Sequence, residues 1–298
     1  MDRLNLSTSQ PDSLSQARVA VLGLGLMGAS LAMDLKGHCT ALLGVDPDEQ
    51  VLRLALERGV VEHASPDPRR ILPQSDLLIL AAPVGAILQL IEELPALHPG
   101  PAVVLDLGST KSQIVQAMAG LPERFDPIGG HPMCGKESTS FANAGTGLFQ
   151  DAPFALTALP HTSARAYRLV EQLVHALGAR PVWLDPHTHD RLTARTSHFP
   201  YILANLLASI TPPGASTLVG PGFRSTTRVA STPTSVMLDI LMTNRSELLS
   251  ALADFRLELD LFESYLAGGD QAALQQLLES GTNRRQGLLE AAGTGAGH

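Results

Sequence analysis

The chain has 298 residues, 44% of them hydrophobic, which suits about two globular domains and excludes a wholly disordered protein. A net charge of −8 without any basic tract argues against nucleic acid as a partner, and two cysteines, Cys39 and Cys134, exclude a disulfide framework or a thiolate-rich zinc site. No apolar run approaches the about 18 residues of a membrane span, and the polar opening lacks a signal core, so a cytoplasmic protein with no membrane contact is expected, residues 1–16 forming a flexible tail.

Residues 17–22 (A-R-V-A-V-L) predict a first strand that runs into G-L-G-L-M-G, followed by a helix over 29–35. Gly23, Gly25 and Gly28 stand at the G-x-G-x-x-G positions. The first permits a tight turn, the second lets backbone approach a pyrophosphate, and the third allows helix and strand to pack closely. Leu26 and Met27 belong to the same cofactor loop.

A second strand, 41–45, ends at Asp46, placed to accept hydrogen bonds from the adenosine ribose and to repel a 2′-phosphate, which points to NAD; the plainer alternative is an acidic residue opening a turn before Pro47. The apolar run 76–83 predicts a strand buried on both faces of a parallel sheet, its end at Ala82 and Pro83 adjoining the cofactor, and a helix follows over 84–94. Another strand, 102–105, enters D-L-G-S-T-K and a helix over 111–118; Ser109 and Thr110 suit helix capping, or with Lys111 they face a ligand at the sheet edge.

The stretch 128–137 reads I-G-G-H-P-M-C-G-K-E. Glycines keep bulk away from His131 and Pro132 fixes the backbone beside it, so a small substrate could approach the imidazole; a turn with an incidental histidine is the alternative. Strands over 155–158 and 181–184 flank a helix over 163–177, and the α/β domain is expected to span 17–186.

From His187 helical periodicity replaces strand patterns, so 187–298 is expected as an all-helical domain, ending in a disordered A-A-G-T-G-A-G-H tail. Over 234–266 an apolar stripe, interrupted near Asn244, suits packing within the domain or across a dimer. Three polar features stand out: His189-Asp190 at a helix start, S-H-F-P-Y over 197–201 about two turns on, and G-F-R-S-T-T-R over 222–228, expected as a loop entering a helix. Each has a structural alternative: a helix start, a core histidine, and solvated arginines.

Taken in order, G-L-G-L-M-G, D-L-G-S-T-K, G-G-H-P-M-C-G-K-E, Leu148-Phe149, H-D, S-H-F-P and G-F-R-S-T-T-R resemble the prephenate/arogenate dehydrogenase family of tyrosine biosynthesis, from about Arg18 to Leu289. The resemblance implies a Rossmann-like domain followed by a helical dimerisation and substrate domain, a homodimer, and NAD-dependent oxidative decarboxylation of prephenate or arogenate. It implies that His131 deprotonates the substrate hydroxyl, that Ser109 orients it and the nicotinamide, that Arg228 clamps the ring carboxylate, and that Glu137 pairs with Arg228. His198 is implied to line the substrate, with Lys111 and Arg224 as further cations. Tyr201 stands where many members carry a histidine near the substrate side chain, which leaves prephenate and arogenate both open. Activity is expected to rise with pH through the histidine titration.

The G-L-G-L-M-G opening also suits a β-hydroxyacid dehydrogenase or imine reductase, but 190–206 lacks the lysine that β-hydroxyacid enzymes place there. A non-catalytic NAD-binding protein is the remaining alternative.

Overall fold

The computed structural model describes residues 10–135 and 140–294. Eight strands, β1 (Arg18–Leu22), β2 (Ala41–Val45), β3 (His63–Ser65), β4 (Leu77–Leu80), β5 (Ala102–Asp106), β6 (Phe125–Pro132), β7 (Pro153–Ala158) and β8 (Arg180–Trp183), form one sheet in the order β3-β2-β1-β4-β5-β6-β7-β8. All neighbours pair in parallel except β6 and β7. The sheet is crossed by α1 (Leu26–Asp34), α2 (Glu49–Glu57), α3 (Val84–Leu97), α4 (Ser112–Ala119) and α5 (Ala164–Ala176).

The apolar runs form central strands because both faces are covered. Along β1, Val19 and Val21 enter one core cluster and Ala20 and Leu22 the other; along β4, Leu77 and Ile79 alternate with Leu78 and Leu80 in the same way. All four β4 residues are buried, and removing one such leucine side chain would cost about 2–5 kcal/mol.

Several predicted boundaries shift. Residues 10–16, expected in a flexible tail, include a short 3-10 turn, Leu14–Gln16, whose Leu14 is buried and whose Leu14 N–H donates to Gln172 of α5 at 2.8 Å. The segment around His131, for which a turn is the alternative reading, is a strand as far as Pro132, because β5 and β7 supply backbone partners on its two sides.

The helices that follow are α6 (Pro186–Thr193), α7 (Phe199–Ile210), α8 (Pro221–Thr227) and α9 (Thr234–Thr243). Between α6 and α7 the backbone makes a π-helical turn, Ala194–His198, in which the Phe199 N–H bonds to Ala194 O, five residues back. Tyr201, Met237 and Ile240 join the core cluster on the sheet face that α3 and α4 cover. The expected loop at 222–228 is the α8 helix: Pro221 takes the first helical turn, where its missing N–H leaves no bond unmade.

Residues up to Asn244 form one compact unit and those from Arg245 a second. The second holds α10 (Arg245–Gly268) and α11 (Gln271–Thr294), joined at Gly269, whose φ of 67° suits a residue without Cβ. The expected disordered tail is helical as far as Thr294, because its alanines extend the ladder begun at Gln271. No helix among the described residues is long and apolar enough to cross a membrane.

Candidate active site

The ends of β1, β2, β4, β5 and β6 lie along one edge of the sheet, where a doubly wound fold gathers its ligand contacts. At the end of β1, Gly23 has φ +98°, and a Cβ there would lie 2.4 Å from Ala81 O; at Gly28 a Cβ would lie 1.9 Å from Gly23 O. Only glycine fits either place. Helix α1 starts at Leu26, earlier than expected, with Gly25 as its N-cap, so the Leu26, Met27 and Gly28 N–H groups belong to a first turn that lacks helical acceptors. Ala82 and Pro83 follow β4 beside this loop, Pro83 capping α3.

Asp46 follows β2. Its carboxylate accepts the Leu24 N–H at 2.7 Å and the Asp48 N–H at 2.9 Å, which fixes its orientation beside the glycine loop. A left-handed turn, a bare helix N-terminus and an oriented carboxylate fit the pyrophosphate and ribose of NAD. Replacing Asp46 by serine is expected to weaken NAD about ten- to a hundredfold, the worth of one charged hydrogen bond, and to narrow the margin over NADP. Equilibrium titration with each cofactor checks this, and unchanged selectivity would remove Asp46 from the ribose.

The strand β6 ends in a chain of polar groups. His131 Nδ1 lies 2.9 Å from His189 Nε2, and His189 Nδ1 lies 2.8 Å from Asp190 Oδ1, all three residues being buried. Asp190 in turn accepts the Lys111 N–H at 2.7 Å and the Ser112 N–H at 2.8 Å, at the start of α4. Burial alone would raise the Asp190 carboxyl, but these hydrogen bonds, with that from His189, hold it below the ordinary carboxylate range.

An ionised Asp190 requires a proton on His189 Nδ1, and with that as the one proton of the ring Nε2 is an acceptor. The proton between the two histidines therefore belongs to His131 Nδ1, and His131 Nε2 carries the lone pair, with no hydrogen-bond partner among the described residues. Burial, together with His189, Lys111 and His198, holds the His131 imidazole well below the usual histidine range. The buried ring is thus a neutral base at ordinary pH.

Lys111 occupies a different place from the one expected of a substrate cation. Its side chain is fully buried; the ammonium pairs with Asp106 and donates to Gly130 O at 2.7 Å, so its charge is spent inside the protein. Desolvation pulls the Lys111 ammonium below its ordinary value, with Asp106 opposing. Asp106 also accepts the N–H groups of Gly108 at 2.8 Å and Gly130 at 3.0 Å. The pair thus ties the loop after β5 to the residue before His131. A Cβ on Gly130 would lie 2.6 Å from Asp106 O, which explains the glycine.

Ser109 is half-buried on the same loop, while Thr110 is fully buried and bonded to Thr243 at 2.9 Å. Arg224 is exposed on α8, and Arg228 is exposed at the start of the 3-10 turn Arg228–Ser231. Glu137 lies outside the described residues. Tyr201 is 8% exposed and His198 1%; burial pushes the His198 imidazole down to about 4. His189, Asp190 and Asp106 complete the arrangement, although the candidate set read from sequence omits them. The H-D pair was visible as a motif, but its partner lies 58 residues away.

Family models described as "Prephenate dehydrogenase, nucleotide-binding domain" and "Prephenate dehydrogenase, dimerization domain" match residues 31–183 and 185–280. The prephenate dehydrogenase of Bacillus subtilis (strain 168) is 30% identical over 282 residues, covering 91% of this chain and 76% of its own length. The arogenate dehydrogenase structure from Synechocystis matches with a TM-score of 0.78 and 28% identity over 91% of this chain and 99% of its own. The prephenate dehydrogenase of A. aeolicus, crystallised with hydroxyphenyl propionate and NAD+, has the same fold: TM-score 0.86, 24% identity, 93% of this chain and 99% of its own. With both parts matched in order along a shared fold, the chain belongs to the prephenate dehydrogenase family.

Proposed function

We propose that His131 is the base of an NAD-dependent oxidative decarboxylation whose substrate is a cyclohexadienol carrying a ring carboxylate, prephenate or arogenate. The observation that carries this is the His131–His189–Asp190 chain, which ends in an unprotonated His131 Nε2 at the same sheet edge as the glycine loop. His131 Nε2 accepts the hydroxyl proton, the positive charge that develops is stabilised through His189 by Asp190, and the backbone N–H groups of α4 hold Asp190 ionised. NAD, when bound, supplies the hydride acceptor. Loss of the ring carboxylate as carbon dioxide leaves its electron pair in the ring, which becomes aromatic.

Ser109, on the loop that Lys111 and Asp106 anchor, is assigned to orient the substrate hydroxyl. Arg228 is assigned to the ring carboxylate, for which a planar guanidinium suits bidentate pairing; Glu137 is its assigned partner, and Arg224 a second cation. His198 and Tyr201 are assigned to the substrate side chain. A homodimer through the helical part is supported by the dimerization-domain match and by exposed Leu249, Leu257, Leu259 and Leu266 on α10 and Leu278 and Leu288 on α11. Two unpaired cysteines suit the reducing cytoplasm.

The deciding assay is NADH formation from NAD with prephenate and arogenate offered separately. Turnover of at least one is expected, and the preferred one identifies what Tyr201 accommodates. If neither gave NADH while NAD still bound, the proposed chemistry would fall and the nucleotide-binding fold would stand.

A further inference from the structure

Asn244 closes α9 and is 2% exposed. Its side-chain nitrogen lies 2.8 Å from the Asp190 main-chain oxygen and 3.1 Å from His198 Nδ1. The first contact fixes the amide, because turning it over would bring two carbonyl oxygens together at that distance. The nitrogen therefore faces both partners, with one hydrogen for each. His198 Nδ1 must then be an acceptor, and the only proton on the ring is at Nε2. Nε2 is buried and has no partner among the described residues, so it is the donor that His198 can offer a substrate oxygen.

We propose that Asn244 is a positioning residue for the dehydrogenase reaction: it holds His198 as the neutral Nε2–H tautomer, so that the proton taken up at His131 brings the only positive charge into the three-histidine cluster. A proton on His198 Nδ1 would point at an amide N–H and is disfavoured by that contact alone. The ionisable groups around His198 are His189 and Asp190 on α6, with His131 on β6 and Lys111 at the start of α4 beyond them. A charged His198 would oppose protonation of His131, as the positive Lys111 already does.

The inference rests on His131 as the base, and its test keeps the two separable. Nitrogen NMR of histidine-labelled protein is expected to show His198 of the wild type neutral across the physiological range, protonated at Nε2. In Asn244→Asp a carboxylate faces Nδ1, so the proton is expected to move there and the ring to keep its charge to higher pH. kcat/KM should fall about tenfold, the worth of the His198 Nε2–H hydrogen bond to the substrate that is lost when the proton sits at Nδ1, and the acid limb of the pH profile should move with the added carboxylate. Loss of packing alone would lower stability without moving either the proton or the limb. An Nδ1 proton in the wild type, or a wild-type pH profile in Asn244→Asp, overturns the proposal. The wild-type spectrum decides it if the variant fails to fold. Retained turnover in His131→Asn would instead remove the base itself, and this proposal with it, whatever the spectra show.

Discussion

Replacing His131 by asparagine is expected to lower kcat by about two to four orders of magnitude while leaving NAD affinity nearly intact. Asparagine can still donate to His189 from a strand position but has no lone pair that accepts a proton at neutral pH. The residues assigned to the cofactor lie at the ends of other strands, so binding should survive; near-normal turnover would end the assignment. The pH profile of the wild type gives an independent check. His131 must be neutral to act, and burial with three neighbouring groups depresses its titration. The acid limb of kcat/KM should therefore lie below the ordinary histidine range, about pH 6.5, and not centred on it as the sequence alone suggests. A limb at or above that value would mean that the ring is better solvated, or better paired when charged, than the His131–His189 contact allows.

The largest stability effect is expected at Lys111. Lys111→Met removes one member of a fully buried ion pair and leaves Asp106 ionised in a dry interior, for which about 3–5 kcal/mol of destabilisation is typical. Urea unfolding measures it. Reverting the charge imbalance by also changing Asp106 to leucine should recover only part of the loss, because the Gly108 and Gly130 N–H groups would then lose their acceptor. If Lys111→Met unfolded like the wild type and only KM rose, Lys111 would be a substrate cation after all. An intermediate loss of stability accompanied by a fall in kcat would fit the anchoring of Gly130, since His131 follows it directly.

The parallel part of the sheet was legible because short apolar runs such as Leu77–Leu80, alternating with helical stretches, suit strands buried on both faces. The glycine loop was legible because backbone conformation at Gly23 and close approach at Gly28 admit one residue type. Strand β6 was not. Its sequence, F-D-P-I-G-G-H-P, has proline and glycine where strands rarely do, and its conformation is imposed by neighbours on both sides. The role of Lys111 was hidden for a related reason: a lysine in a sheet-edge loop reads as a ligand cation until the aspartate five residues earlier is seen to take it. His189 and Asp190 were visible as a motif, but their bond to His131 depends on a packing of α6 against β6 that no local pattern encodes.

The π-helical turn at Ala194–His198 amounts to one residue more than an α-helix needs between α6 and α7. Five residues in a π-turn sweep about the same angle as four in an α-helix, so removing one there would leave a regular ladder with everything after it facing nearly as before relative to α6. His198 would still face Asn244, and Tyr201 would stay in the cluster it shares with Met237. The turn thus absorbs one extra residue on its exposed side, at 195–197, while the buried side that carries His198 keeps its aim.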